Sequence, residues 1–265
     1  MSLPLLALAA FAAAAINSIA GGGTFLTFPA LTGLAGLSEK VANMTSTVGL
    51  WPGSASSVVA ARRDLARIPR GMLIAFATIS FIGGALGSIL LLRTSTRAFG
   101  LAIPWLLAFA TTLFAFSKPI ARWAGRKHGD RSLKWTLFVG AVQLAVAVYG
   151  GYFGAGIGVL MLAGLSFAGL DDIHQMNGLK VLLAALINGV AAAIFVAGSL
   201  LGSELLGSQG DRVNWTIAGV MVVASTAGGF LGMHAARRIK PDQLRLVILA
   251  TGVALTTAYF IRNYS

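Results

Sequence analysis

The sequence predicts an all-α integral membrane protein of two inverted repeats, each a glycine-broken hairpin followed by three transmembrane helices. Three observations point there: apolar segments of membrane-spanning length, lysines and arginines gathered in alternate loops, and a glycine cluster inside each of two over-long segments. Of 265 residues 57% are hydrophobic and only 11% charged, with a mean hydropathy of +0.82, so water is not the solvent for most of the surface. A soluble domain of this length would need a charged exterior, whereas these charges fall in short clusters between apolar runs.

The apolar runs cover residues 3–37, 41–61, 71–92, 98–117, 133–170, 173–201, 213–236 and 243–261. A helix of about 20 residues crosses the hydrocarbon core, so the runs 3–37 and 133–170 must fold back or break. Each contains its own breaker, "AGGG" at 20–23 and "GGYFGAGIG" at 150–158. The N-terminal "MSLPLLALAAFAAAAIN" lacks a basic leader region and runs straight into the glycines, so it reads as a retained first membrane segment rather than a signal peptide.

Loop charge sets the orientation. "RRDLARIPR" (62–70), the stretch from Lys118 to Lys134 and "RRIKPDQLR" (237–245) belong in the cytoplasm, while "GSLLGSELLGSQGD" (198–211), without lysine or arginine, belongs outside; Arg93 and Arg97 are a mild exception on the external side. The run 133–170 then starts and ends inside, the run 3–37 starts and ends outside, and both termini are external. The chain divides into a first repeat (1–117), a basic cytoplasmic linker (118–132) and a second repeat of opposite orientation (133–265). "GGALG" at 83–87 recurs as "GGFLG" at 228–232, and an offset of 134 pairs Asn43 with Asn177, Ser46 with Lys180 and Ser54 with Asn188. Inverted repeats with broken helices at the membrane midplane are a transporter plan.

The net charge of +12 sits in inter-helix loops and not on an aromatic-bearing solvated face, which excludes a nucleic-acid partner. The absence of cysteine excludes disulfides, thiolate metal sites and cysteine nucleophiles, and His128, His174 and His234 lack ligand spacing, so neither metal nor cofactor is expected. No acid pair or nucleophile–base spacing is present, which argues against an enzyme.

Non-helical backbone at membrane depth is tolerated only where it is buried in protein or lines a cavity. A break at Gly21, Gly22 and Gly23 would place the N-terminus of a second arm, beginning near Thr24, at a cavity where N–H groups and the helix dipole attract an anion; Gly154, Gly156 and Gly158 would do the same from the opposite side. The competing role for these glycines is close helix packing. Lys180 lies about two turns into its segment, where an ammonium must face a cavity or snorkel to the interface. Asp171 and Asp172, the nearest acids, sit at that segment's cytoplasmic end. Asn177, Lys180 and Asn188 share one helical face, as do Asn43, Ser46, Thr47, Ser54 and Ser57 in the related helix, so two polar stripes could line a hydrated path or bond helices together. Pro52 marks a kink, either hinge or static curvature. Trp123, Trp135 and Trp215 read as interfacial anchors, and Arg62, Arg63, Arg126, Lys127, Arg237 and Arg238 as topology determinants with anionic lipid as a secondary partner.

The stretches "INSIAGGGTFLTFPAL" followed by "VANMTS", and "GYFGAGIGVLML" followed by "MNGLKVLLAALINGVAA", resemble the sulfite exporter TauE/SafE family, also described as the four-toluene-sulfonate uptake permease family, over nearly the whole chain. The resemblance implies a prokaryotic inner-membrane transporter of small anions, often sulfur-containing (sulfite, thiosulfate, sulfonates such as sulfoacetate) or other organic acids. The loop 199–211 is longer than the family pattern, and "NMTS" stands where a lysine often follows the first asparagine, leaving Lys180 as the sole expected intramembrane cation. The function expected is a secondary transporter working by alternating access, with Gly21, Gly22, Gly23, Thr24, Asn43, Ser46, Gly154, Gly156, Gly158, Asn177, Lys180 and Asn188 holding a small anion within the lipid bilayer. An anion entering the cell against the membrane potential would need a coupling ion such as a proton. The alternatives are an anion channel and a carrier of non-sulfur acids.

Overall fold

The computed structural model describes residues 2–19, 21–125, 132–168, 170, 172–201, 211–235 and 241–264. Every regular element among them is helical. The chain runs α1 (Leu3–Ile19), α2 (Thr24–Pro29, continued as a wide turn over Ala30–Leu34), α3 (Glu39–Leu65), α4 (Arg70–Arg93), α5 (Thr96–Gly125), α6 (Leu133–Tyr152), α7 (Ile157–Leu165), α8 (Ile173–Leu201), α9 (Trp215–Ala235) and α10 (Pro241–Tyr264). Among the described residues, five stretches are long and apolar enough to cross a membrane: Arg70–Arg93, Thr96–Phe116, Leu133–Tyr152, Ile173–Leu201 and Trp215–Gly232. The basic residues Arg126, Lys127, Arg237 and Arg238, the acid Asp171 and most of the 199–211 loop lie outside the described residues.

Both over-long runs break at their glycines. At the end of α1 the N–H of Gly21 reaches back to the carbonyl of Ile16, and at the end of α6 that of Gly154 reaches back to Tyr149. Both glycines have left-handed backbone, φ 78° and 75°, which ends a helix without the steric penalty a side chain would bring. The chain re-enters helix at Thr24 and at Ile157, so each run becomes one long and one short arm.

α3 is long yet polar, and much of its polar face is buried in the protein: Asn43, Thr45, Ser46 and Ser57 are all buried. It lies against α8 and α9, α1 packs on α9, and α4 packs on α6 and α8. The repeated glycine motifs make these contacts close. A Cβ on Gly83 or Gly87 would strike α6, and one on Gly84 would press on Ile187 of α8; a Cβ on Gly228 or Gly232 would strike α1, and one on Gly229 would strike Gly53 of α3. For these glycines the packing role is therefore the one realised, since small residues let membrane helices approach to backbone distance. α3 and α8 run antiparallel, with Gly178 against Asp64 and Leu65, and Gly189 against the Trp51 indole.

Candidate functional site

The two chain breaks meet. A Cβ built on Gly21 would overlap the Cα of Gly158, and one built on Gly158 would come 2.5 Å from the Cα of Gly21 and 3.4 Å from the Lys180 Cδ. Beside this crossing lies a small, partly open cavity with room for little more than one water molecule. The first hairpin lines it with Asn17, Ser18, Gly21 and Thr24, α3 with Ser54 and Ser57, the second hairpin with Gly154, Ile157 and Gly158, and α8 with Lys180, Val181, Ala184 and Asn188.

Lys180 does not snorkel. Its side chain is fully buried, and its ammonium donates to the backbone carbonyls of Asn17 and Ser18, each at 3.3 Å. Those carbonyls are the negative end of α1, which a cation stabilises. Asn17 also accepts the Gly23 N–H on its Oδ1 at 2.7 Å, so one residue ties the lysine to the hairpin tip. The expectation of free N–H groups at the first break is thus corrected in part: the Gly21 and Gly23 N–H groups are already bonded, to Ile16 and Asn17. Ser57 donates toward the carbonyls of Gly53 (2.8 Å) and Gly229 (3.1 Å), and Ser54 toward that of Leu50 (3.4 Å), leaving their oxygens to accept. Among the described residues the cavity wall carries one cation and no acid, so its field favours a negative ligand.

Of the residues expected at the site, Gly21, Thr24, Gly154, Gly158, Lys180 and Asn188 line the cavity. Gly22, Gly23, Gly156, Asn43, Ser46 and Asn177 do not. Gly156, also left-handed at φ 73°, is covered by Phe25 and Ala110, and Asn177 is half-buried one turn before Lys180. Asn43 and Ser46 stand on the Glu39 half of α3, away from the cavity. Asn43 donates to the carbonyl of Tyr152 at 3.0 Å while its Oδ1, although buried, has no donor among the described residues; Ser46 shares a 2.8 Å hydrogen bond with Thr27. Rings fill the space above them: Phe28 and Phe153 meet edge to face with centroids 5.6 Å apart, and Phe99 and Tyr259 join the same cluster.

Three residues escaped the sequence reading. Asn17 and Ser18 are a polar pair in an otherwise apolar arm directly before the glycines, which was the available signal. Lys40 is a second fully buried cation: it lies 3.2 Å from the Asp211 carboxylate and donates to the carbonyls of Leu92 (3.1 Å) and Thr94 (2.7 Å). It precedes the apolar run 41–61, where a charge looks like part of the loop. Thr96 donates to the same Asp211 at 2.8 Å, and Glu39 pairs with Arg262 at 3.1 Å. Of the anchor tryptophans, Trp215 opens α9 with an exposed ring, Trp135 stacks on Phe138 and donates to the Phe167 carbonyl, and the Trp123 side chain lies outside the described set.

Comparison with known proteins agrees with the sequence resemblance. The family model for Sulfite exporter TauE/SafE matches residues 6–259. A "Probable membrane transporter protein" of Haemophilus influenzae is 28% identical over 231 residues, covering 87% of this chain and 83% of the relative. One of the same description from Xylella fastidiosa is 27% identical over 236 residues, covering 86% and 82%. No solved structure gives a significant match. With helices of spanning length, two broken arms crossing at glycine and a relative-wide match, the chain belongs to the sulfite exporter TauE/SafE family and is a multi-pass membrane transporter.

Proposed function

We propose that the protein is a secondary transporter of small anions, sulfur-containing ones such as sulfite, thiosulfate or an organosulfonate foremost, which binds them in the cavity beside the Gly21–Gly158 crossing and moves them by alternating access. The observation that carries this is the buried Lys180 ammonium at the meeting point of two broken helices, in a wall that carries no acid among the described residues. A cation held in a low-dielectric site attracts a counter-ion strongly, and the amides of Asn17 and Asn188 add orienting donors. A proton is the coupling ion assigned to uptake, if uptake is the direction.

The two-repeat plan is part of the proposal. Its support is the pairing of contacts: α1 packs on α9 as α6 packs on α4, and the 134-residue offset that relates Ser46 to Lys180 also relates Gly53 to Ile187, the two residues met by Gly229 and Gly84. Residues 1–117 and 133–265 are then inverted copies joined by the basic linker, with both termini outside and the membrane the prokaryotic inner one. Counterflow in proteoliposomes tests the mechanism. Saturable exchange accelerated by anion on the opposite side supports a carrier, whereas flux as unitary conductance steps would make the same cavity a channel; exchange restricted to carboxylic acids would replace the sulfur-containing class.

A further inference from the structure

The polar path along α3 is treated differently in its two halves. Ser54 and Ser57 border the cavity, Ser54 half-buried and Ser57 buried, while Asn43 and Ser46, on the half nearer Glu39, are buried away from it. Apart from the Ser46–Thr27 hydrogen bond, the contacts around them join the first 117 residues to the rest of the chain: Asn43 to the Tyr152 carbonyl, Phe28 and Phe99 to Phe153, Phe28 to Tyr259. Beyond the rings, Lys40 meets Asp211. The Oδ1 of Asn43 has no donor among the described residues inside this seal, and such a buried amide oxygen calls for an explanation.

We propose that Lys40 and Asp211 latch an outer gate of the anion path, and that Asn43 and Ser46 are its wall once the latch and the Phe28–Phe153 ring contact release. This rests on the transporter reading above. In the closed form the Lys40 ammonium holds three things at once: the end of α4 through the Leu92 and Thr94 carbonyls, the start of α3 through its own backbone, and the approach to α9 through Asp211. Removing the carboxylate leaves a fully buried ammonium with carbonyls alone, which favours any arrangement that lets it reach water. Once the rings part, the orphaned Asn43 oxygen gains water as its donor. The inner cavity and the outer wall are then the two alternately exposed ends of one path.

The chain has no cysteine, so single-thiol variants need no prior engineering. S46C and S54C are each labelled with a membrane-impermeant thiol reagent, from outside in spheroplasts and from inside in inverted vesicles. S54C, at the half-buried serine on the cavity, reacts from the cytoplasmic side in every background and reports fold and orientation. S46C is protected from outside in the native background and reacts about tenfold faster with D211N, a shift of about 1.4 kcal/mol in the gate equilibrium. F153A supplies the same arm if D211N does not accumulate. Continued protection of S46C in both, with S54C labelled normally, overturns the gate and leaves the transporter reading standing; equal reactivity of S46C with and without the latch overturns it as well. S54C reacting only from outside overturns the orientation, and with it both proposals.

Discussion

Gly21 and Gly158 touch backbone to backbone, so that neither position has room for a single methyl group. Two broken helical segments thus brace one another at their weakest points, and the lysine of α8 lies alongside.

Gly158→Ala is expected to destabilise the protein by about 1–3 kcal/mol through overpacking against backbone that cannot move aside. Gly21→Ala adds the left-handed penalty of about 1–2 kcal/mol at φ 78°. Gly33→Ala, which meets nothing within 4 Å, should leave the melting temperature unchanged or slightly raised. Thermal unfolding in detergent ranks the three.

Lys180→Met keeps most of the stem's volume and removes the donor to the Asn17 and Ser18 carbonyls. The protein should still be made and inserted, with transport lost. Lys180→Arg should fail to restore it, because the stem already packs against the hairpin at Gly158 and the broader guanidinium has no room. Uptake or efflux in cells, normalised to protein in the membrane, gives the comparison.

Asp211→Asn should be more harmful to stability than Lys40→Met. The first strands a fully buried ammonium, at a cost approaching about 3 kcal/mol; the second strands a carboxylate whose side chain is 15% exposed and reaches water. The double variant should recover part of the loss, and a double-mutant cycle on melting free energies measures how much.

Gln143 and Ser80 join α6 to α4 by a buried 2.8 Å hydrogen bond, with the Gln143 Oε1 left without a donor among the described residues. Ser80→Ala should destabilise by about 1–3 kcal/mol by stranding the amide, whereas Ser80→Ala with Gln143→Leu should return close to native stability. Chemical unfolding of the single and double variants in mixed micelles decides between them.

Much of the fold was legible in the sequence because hydropathy and glycine report backbone constraints directly. The runs 3–37 and 133–170 had to break, and they break at Gly21 and Gly154. Apolar segments became helices with ends close to those expected, except that α5 runs on to Gly125, into the stretch expected as a basic linker. The site was less legible. Helical faces place Asn43 and Ser46 beside Ser54 and Ser57, but which half of a polar stripe is open depends on how Phe28, Phe99, Phe153 and Tyr259 pack across long separations, and one aromatic in an apolar run reads like any other. Asn17 went unassigned because its role comes from an amide bonding a turn six residues on. Lys40 went unassigned because its counter-charge lies far along the chain at Asp211.

The central claim, a small-anion site at the crossed hairpins, is tested most directly by the melting temperature of the purified protein against sulfite, thiosulfate, sulfoacetate, sulfate, acetate and chloride, with Lys180→Met alongside. A ligand at a hundred times its dissociation constant adds about 2.7 kcal/mol of stability, a readable shift. The account predicts that at least one sulfur-containing anion raises the native melting temperature and leaves that of the variant where it was. A panel that moves neither protein, or moves both equally, would contradict it.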